Sequence, residues 1–118
     1  MRHDPFCFYI RHPDGSVEPA PSILSWAEFR LSCDHIVGQT EIGPDVTVST
    51  VFLGIDHGHG RSDKPVLWET MVFRSSEDGR SRPSWRYTSE ADAKRGHELV
   101  VSRLREEPNA DLRTLLGL

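Results

Sequence analysis

Through the middle of the chain, apolar residues fall in short β-branched runs, and near its end they recur at helical spacing. From 35 to 42 the sequence is β-rich, Gly43-Pro44-Asp45 interrupts it, and 46–55 carries Val, Thr, Ser or Phe at nearly every position, which predicts a hairpin. The stretch 51–55 is apolar on both faces, as in strands covered above and below, so the strand over 46–55 is expected to be internal to its sheet. A loop with glycines and histidines over 56–65 leads to another strand, 66–73. The Ser-, Arg-, Gly- and Asp-rich stretch 74–84 reads as a mobile connection to a short last strand over 85–87.

A long helix is expected over 89–107. Ser89 or Thr88 can cap it, Glu90 and Asp92 suit its positive end, Arg103 and Arg105 its negative end, and Pro108 stops it. Ala93, His97, Val100 and Leu104 form one stripe that should face the sheet and carry His97 inward. Near the start, 6–11 reads as a strand and Pro13-Asp14-Gly15-Ser16 as a turn. Pro19 and Pro21 delay any helix until Ser25, which forms a capping box with Glu28 and predicts a short helix over 26–33 with Trp26, Phe29, Leu31 and Cys33 as an imperfect stripe. One last turn is expected over 111–116. The fold class is therefore α+β: one domain over 1–118, an antiparallel meander sheet of four to five strands packed against a long C-terminal helix, with a short N-terminal helix. Its core should include Phe52, Ile55, Trp68, Met71, Phe73, Val100 and Leu104.

Composition adds limits. A chain of 118 residues suits one domain with a modest core, and 36% hydrophobic with 27% charged residues is the balance of a soluble protein. No apolar run approaches the length needed to cross a bilayer, so no membrane partner is expected. The first apolar run ends at Arg11-His12-Pro13-Asp14, too early for a secretory core, which points to the cytoplasm and to reduced, buried thiols at Cys7 and Cys33. With 18 acidic against 14 basic residues the net charge is −4, which disfavours general affinity for a phosphate backbone.

The polar residues that could carry chemistry are Asp56, His57, His59, Glu69 and His97. Glu69 alternates with Leu67, Met71 and Phe73, so if that face is buried its carboxylate needs a donor, and His97 is the expected one. The pair could be a structural tie between helix and sheet, which is preferred. Alternatively Asp56, His57, Glu69 and His97 form an acid-base or divalent-metal site. Asp56, His57 and His59 lack the i, i+4 helical spacing of zinc proteases, and no cofactor is predicted. Ser49 sits in mid-strand without a Gly-x-Ser-x-Gly context, and the glycine loop 54–60 is neither a dinucleotide fingerprint nor a phosphate loop. Arg74, Arg80, Arg82 and Arg86, with Trp85 and Tyr87 interleaved, could clamp single-stranded nucleic acid if the arginines share a face; the ordinary reading is a solvated loop.

Four segments, VSTVFLGIDHG at 48–58, ETMVF at 69–73, WRYT at 85–88 and the pair Gly96-His97, resemble an uncharacterised family of small proteins of tailed phages and prophages. The likeness spans roughly 34–105, and the family usually has an aromatic residue where His59 stands. It implies a phage context and no reaction. With no catalytic motif in the chain, the expected function is a small accessory protein that binds another macromolecule, a host or defence protein being the partner such a context suggests. A homodimer is also expected if the second face of the sheet is apolar.

Overall fold

The computed structural model describes residues 8–32, 35–56, 64–75 and 83–107. Their order is β1 (Tyr9–Arg11), β2 (Val17–Pro19), α1 (Ile23–Ser32), β3 (Ile36–Ile42), β4 (Val46–Phe52), β5 (Trp68–Arg74), β6 (Ser84–Tyr87) and α2 (Glu90–Glu106). The last four strands form an antiparallel meander in the order β3-β4-β5-β6, with β4 internal, and α2 packs across one face. This is the expected α+β architecture. Cys7, Cys33 and the turn expected over 111–116 lie outside the described residues.

Strand alternation decides which residues meet α2. Val46, Val48, Thr50 and Phe52 of β4 share its face with Trp68, Thr70 and Val72 of β5 and with Trp85 of β6, and all are buried. Val46, Val48, Val72 and Trp85 pack with Val100, Val101 and Leu104, while Tyr9, Phe52, Leu67, Trp68 and Ala93 make a second cluster. Each fully buried aliphatic or aromatic side chain contributes about 1.5–3 kcal/mol. Met71 and Phe73, expected in this core, lie on the opposite face and are half-buried, because the buried row begins at Trp68. Ile55 lies beyond β4 and is also half-buried.

α2 starts at its expected cap: the Asp92 amide donates to Ser89 Oγ at 3.1 Å. α1 starts earlier than expected. The Ser25 amide donates to Ser22 Oγ at 3.1 Å, so Ser22 is the cap and Ser25 lies inside the first turn. The β1-β2 hairpin turns at Gly15, whose φ of 89° favours glycine. Arg11 of β1 pairs with Glu90 at the start of α2, which joins the hairpin to the helix.

Candidate functional site

Under α2 a chain of hydroxyls runs through the core and ends on an imidazole. Tyr87 OH donates to Thr70 Oγ1 at 3.0 Å, Thr70 and Thr50 Oγ1 are 2.6 Å apart, and Thr50 Oγ1 lies 2.8 Å from His97 Nδ1. On the other side of the ring, Nε2 lies 2.9 Å from Thr40 Oγ1. Thr50 and Thr70 are fully buried and His97 is 5% exposed. Because Tyr87 donates to Thr70, the direction that uses each proton once runs Thr70 to Thr50 to Nδ1, which leaves the proton on Nε2 to donate to Thr40. The imidazole is then neutral. Burial holds the His97 pKa below its ordinary value of 6.5 and outweighs the opposing pull of the Glu98 carboxylate. Burial likewise pushes the Tyr87 hydroxyl up, against the smaller effect of its hydrogen bond with Thr70, so it remains a donor.

Two glycines make room for this chain. A Cβ at Gly96 would stand 2.1 Å from Tyr87 OH, so only glycine in that turn of α2 lets the tyrosine reach Thr70. A Cβ at Gly38 would stand 3.4 Å from the His97 ring. With no side chain there, a cleft of about 360 Å³ opens between β3 and α2, and Thr40, Thr50 and His97 line it together with Lys94 and Glu98 of the helix.

Glu69 takes no part. It is one residue from Thr70, so it points to the opposite face of the sheet, where Arg86 Nε donates to its carboxylate at 3.0 Å. The expected Glu69-His97 hydrogen bond therefore does not form, and threonine hydroxyls occupy the imidazole instead. Asp56 is 2% exposed and accepts from the Val66 amide at 2.9 Å, which ties the end of the β4 segment to the start of the β5 segment. His57 and His59 lie outside the described residues, as do Arg80 and Arg82. Among the described residues no three His, Cys, Asp or Glu side chains are grouped to hold a metal. The arginines that are described do not share a face: Arg74 lies in the row of Trp68, Thr70 and Val72, whereas Arg86 lies in the opposite row beside Glu69. Trp85 is 4% exposed in the core, so it offers no stacking surface.

A second feature lies on α1. Trp26 and Phe29 point inward: Trp26 packs tilted against Phe8 with ring centroids 4.7 Å apart and donates from Nε1 to Gly54 O at 3.1 Å, and Phe29 meets Phe52 edge-on at 6.0 Å. The other apolar residues point out. Ile23, Leu24 and Leu31 are 63%, 68% and 89% exposed, which corrects the expectation that Leu31 shares the inward stripe. At 3.6 residues per turn, Ile23, Leu24, Ala27 and Leu31 fill one arc of about 100°.

Sequence reasoning identified His97 as an inward polar residue but missed Thr40, Thr50, Thr70 and Tyr87 as its partners. The available signal was a threonine at a core-facing position in each of two strands, Thr50 between Val48 and Phe52 and Thr70 between Trp68 and Val72. No protein family, curated protein or solved structure matches the chain.

Proposed function

We propose that the protein is a non-catalytic binding module whose recognition surface for a protein partner is the outer face of α1. The observation that carries this reading is the exposure of Ile23, Leu24 and Leu31 in one continuous arc of a helix whose inner face is already docked. Scattered exposed leucines need no explanation, but a helix apolar on both sides is ordinarily covered on both sides. An amphipathic face of this kind suits recognition by a hydrophobic groove or another helix. Two supports are chemical. The histidine best placed for acid-base work has both ring nitrogens engaged by threonines, and the two described acids expected beside it have other partners. The resemblance to small phage and prophage proteins supports a host or defence protein as the partner class. No helix among the described residues is long and apolar enough to cross a membrane.

The test compares wild-type protein with the Leu24→Asp/Leu31→Asp variant as bait in extracts of phage-infected cells, followed by titration of the purified captured protein. Both positions are exposed, so the variant should keep its stability to within about 0.5 kcal/mol, read as a nearly unchanged melting temperature. Loss of partner affinity by about tenfold or more is expected, since anchors of this kind each contribute on the order of 1–2 kcal/mol or more. A partner held equally by both baits, or the absence of any saturable partner, would overturn the assignment.

A further inference from the structure

The cleft between β3 and α2 has features of a ligand site that the binding face on α1 does not use. Its volume, about 360 Å³, lies at the small end of the range for small-molecule pockets. Its floor is fixed: the His97 ring is held at both nitrogens, so it cannot turn without breaking hydrogen bonds to Thr40 and Thr50. In the tautomer assigned above, Nε2 donates to Thr40, which leaves the Thr40 hydroxyl its own proton for a further acceptor, and Thr40 lines the cleft.

Charge at the mouth is of both signs. Lys94 and Glu98 stand four residues apart on α2, on the side that lines the cleft. Lys94 Nζ is 3.6 Å from Glu90, and with its side chain 64% exposed it retains donors for a ligand. Among the described residues Glu98 has no ion-pair partner, although the ammonium of Lys94 is one helical turn away. Lys94 and the Thr40 hydroxyl, donors suited to a carboxylate, thus line the same cleft as a carboxylate that has no ion-pair partner among the described residues and can receive a cation. A simple anion would meet Glu98 at a cost and a simple cation would meet Lys94. A molecule carrying both charges a few bonds apart satisfies each.

From this arrangement the geometry points to a binding site for a small zwitterion of the free amino-acid class, its carboxylate on Lys94 and Thr40 and its ammonium on Glu98, over the His97 floor. The absence of a side chain at Gly38 is what leaves the space.

The experiment follows backbone amide and imidazole resonances of the full chain while individual free amino acids are added, with propionate and propylamine as half-molecule probes. Saturable shifts centred on Gly38, Thr40, Lys94 and His97 are expected for at least one amino acid, and each half-molecule should bind about tenfold or more weakly, since it loses one charge-assisted contact. Lys94→Gln and Glu98→Gln, both at exposed positions, should each weaken binding by a similar factor while the remaining spectrum stays that of the folded protein. Propionate binding as tightly as the amino acids, or a Glu98→Gln variant binding as well as wild type, would overturn the zwitterion. No saturable shift at any cleft residue up to about 10 mM, beyond even a millimolar Kd, would overturn the site itself.

Discussion

Gly96 is the residue where an ordinary rule should reverse. Glycine inside a helix usually costs about 1 kcal/mol relative to alanine, so by propensity alone Gly96→Ala would stabilise α2. Here the new methyl would fall 2.1 Å from Tyr87 OH, and the tyrosine must leave Thr70 to admit it. Gly96→Ala should therefore lower stability by about 1–3 kcal/mol, read as a fall in the urea midpoint with an unchanged slope. A rise in the midpoint would show that Tyr87 has room to move. His97 gives a prediction with a sign. Its pKa is depressed by burial in the folded state, so between the folded value and 6.5 the unfolded chain binds more protons. The contribution to stability is fully present above 6.5 and declines as the pH falls through the lower folded value, with a slope of at most about 1.4 kcal/mol per pH unit. His97→Gln should be less stable at neutral pH, by about 1–3 kcal/mol for the disturbed threonine contacts, and should lose that part of the acid sensitivity. Parallel pH profiles for the two proteins would remove the assignment.

At the level of elements, the strands and α2 were legible because each carried a strong local pattern: β-branched runs broken by Gly43-Pro44, and a capped stripe ended by Pro108. Which face of β5 packs inward was not, since both of its faces hold apolar residues and alternation alone fits either choice. That ambiguity placed Glu69 beside His97, when the register sets Thr70 there and pairs Glu69 with Arg86. The four segments behind the phage resemblance nevertheless each supply a member of the buried chain: Thr50, Thr70, Tyr87 and His97, with Gly96 beside it. Their convergence is a property of the fold that no single segment reveals. α1 was misread at its start for a similar reason, because two serines three residues apart both resemble caps and only the chain path separates them. Ser22→Ala should destabilise α1 by about 0.5–2 kcal/mol, while Ser25→Ala should change it by no more than a few tenths. Amide exchange within α1 distinguishes the two, and equal effects would restore Ser25 as a cap.

For the whole molecule, the expectation of a homodimer rested on an apolar second face of the sheet. That face is mixed, with Thr47, Ser49 and Val51 in β4 and Glu69, Met71 and Phe73 in β5, Met71 and Phe73 being half-buried and Glu69 paired with Arg86, whereas the most exposed large apolar side chains are on α1. How α1 is held therefore matters to any partner. Two of its described polar ties reach the segment that follows β4, Trp26 Nε1 donating to Gly54 O and Arg30 donating to Leu53 O at 3.1 Å, and the Tyr9 amide of β1 donates to the same Gly54 O at 2.8 Å; a third tie joins Arg30 O and His35 Nε2 at 2.8 Å. Phe8 also bridges to Ile55. Gly54 has a φ of 79°, and a Cβ there would lie 2.9 Å from Trp26 Nε1. Gly54→Ala thus combines left-handed backbone strain of about 1–2 kcal/mol with displacement of the indole that anchors α1. The meander and α2 have their own core in Val46, Val48, Val72, Trp85, Val100 and Leu104, which Gly54 does not touch. The variant should therefore loosen the molecule unevenly. Amides of 9–31 should exchange roughly tenfold faster or more, whereas those of β4, β5 and α2 should keep a larger share of their protection, as expected of separate cooperative units. Uniform loss of protection would mean that hairpin, α1 and sheet unfold together. In the uneven case Gly54→Ala should also weaken partner capture through α1, although every side chain of the outer face is unchanged, because the face is then presented by a helix that is docked less of the time.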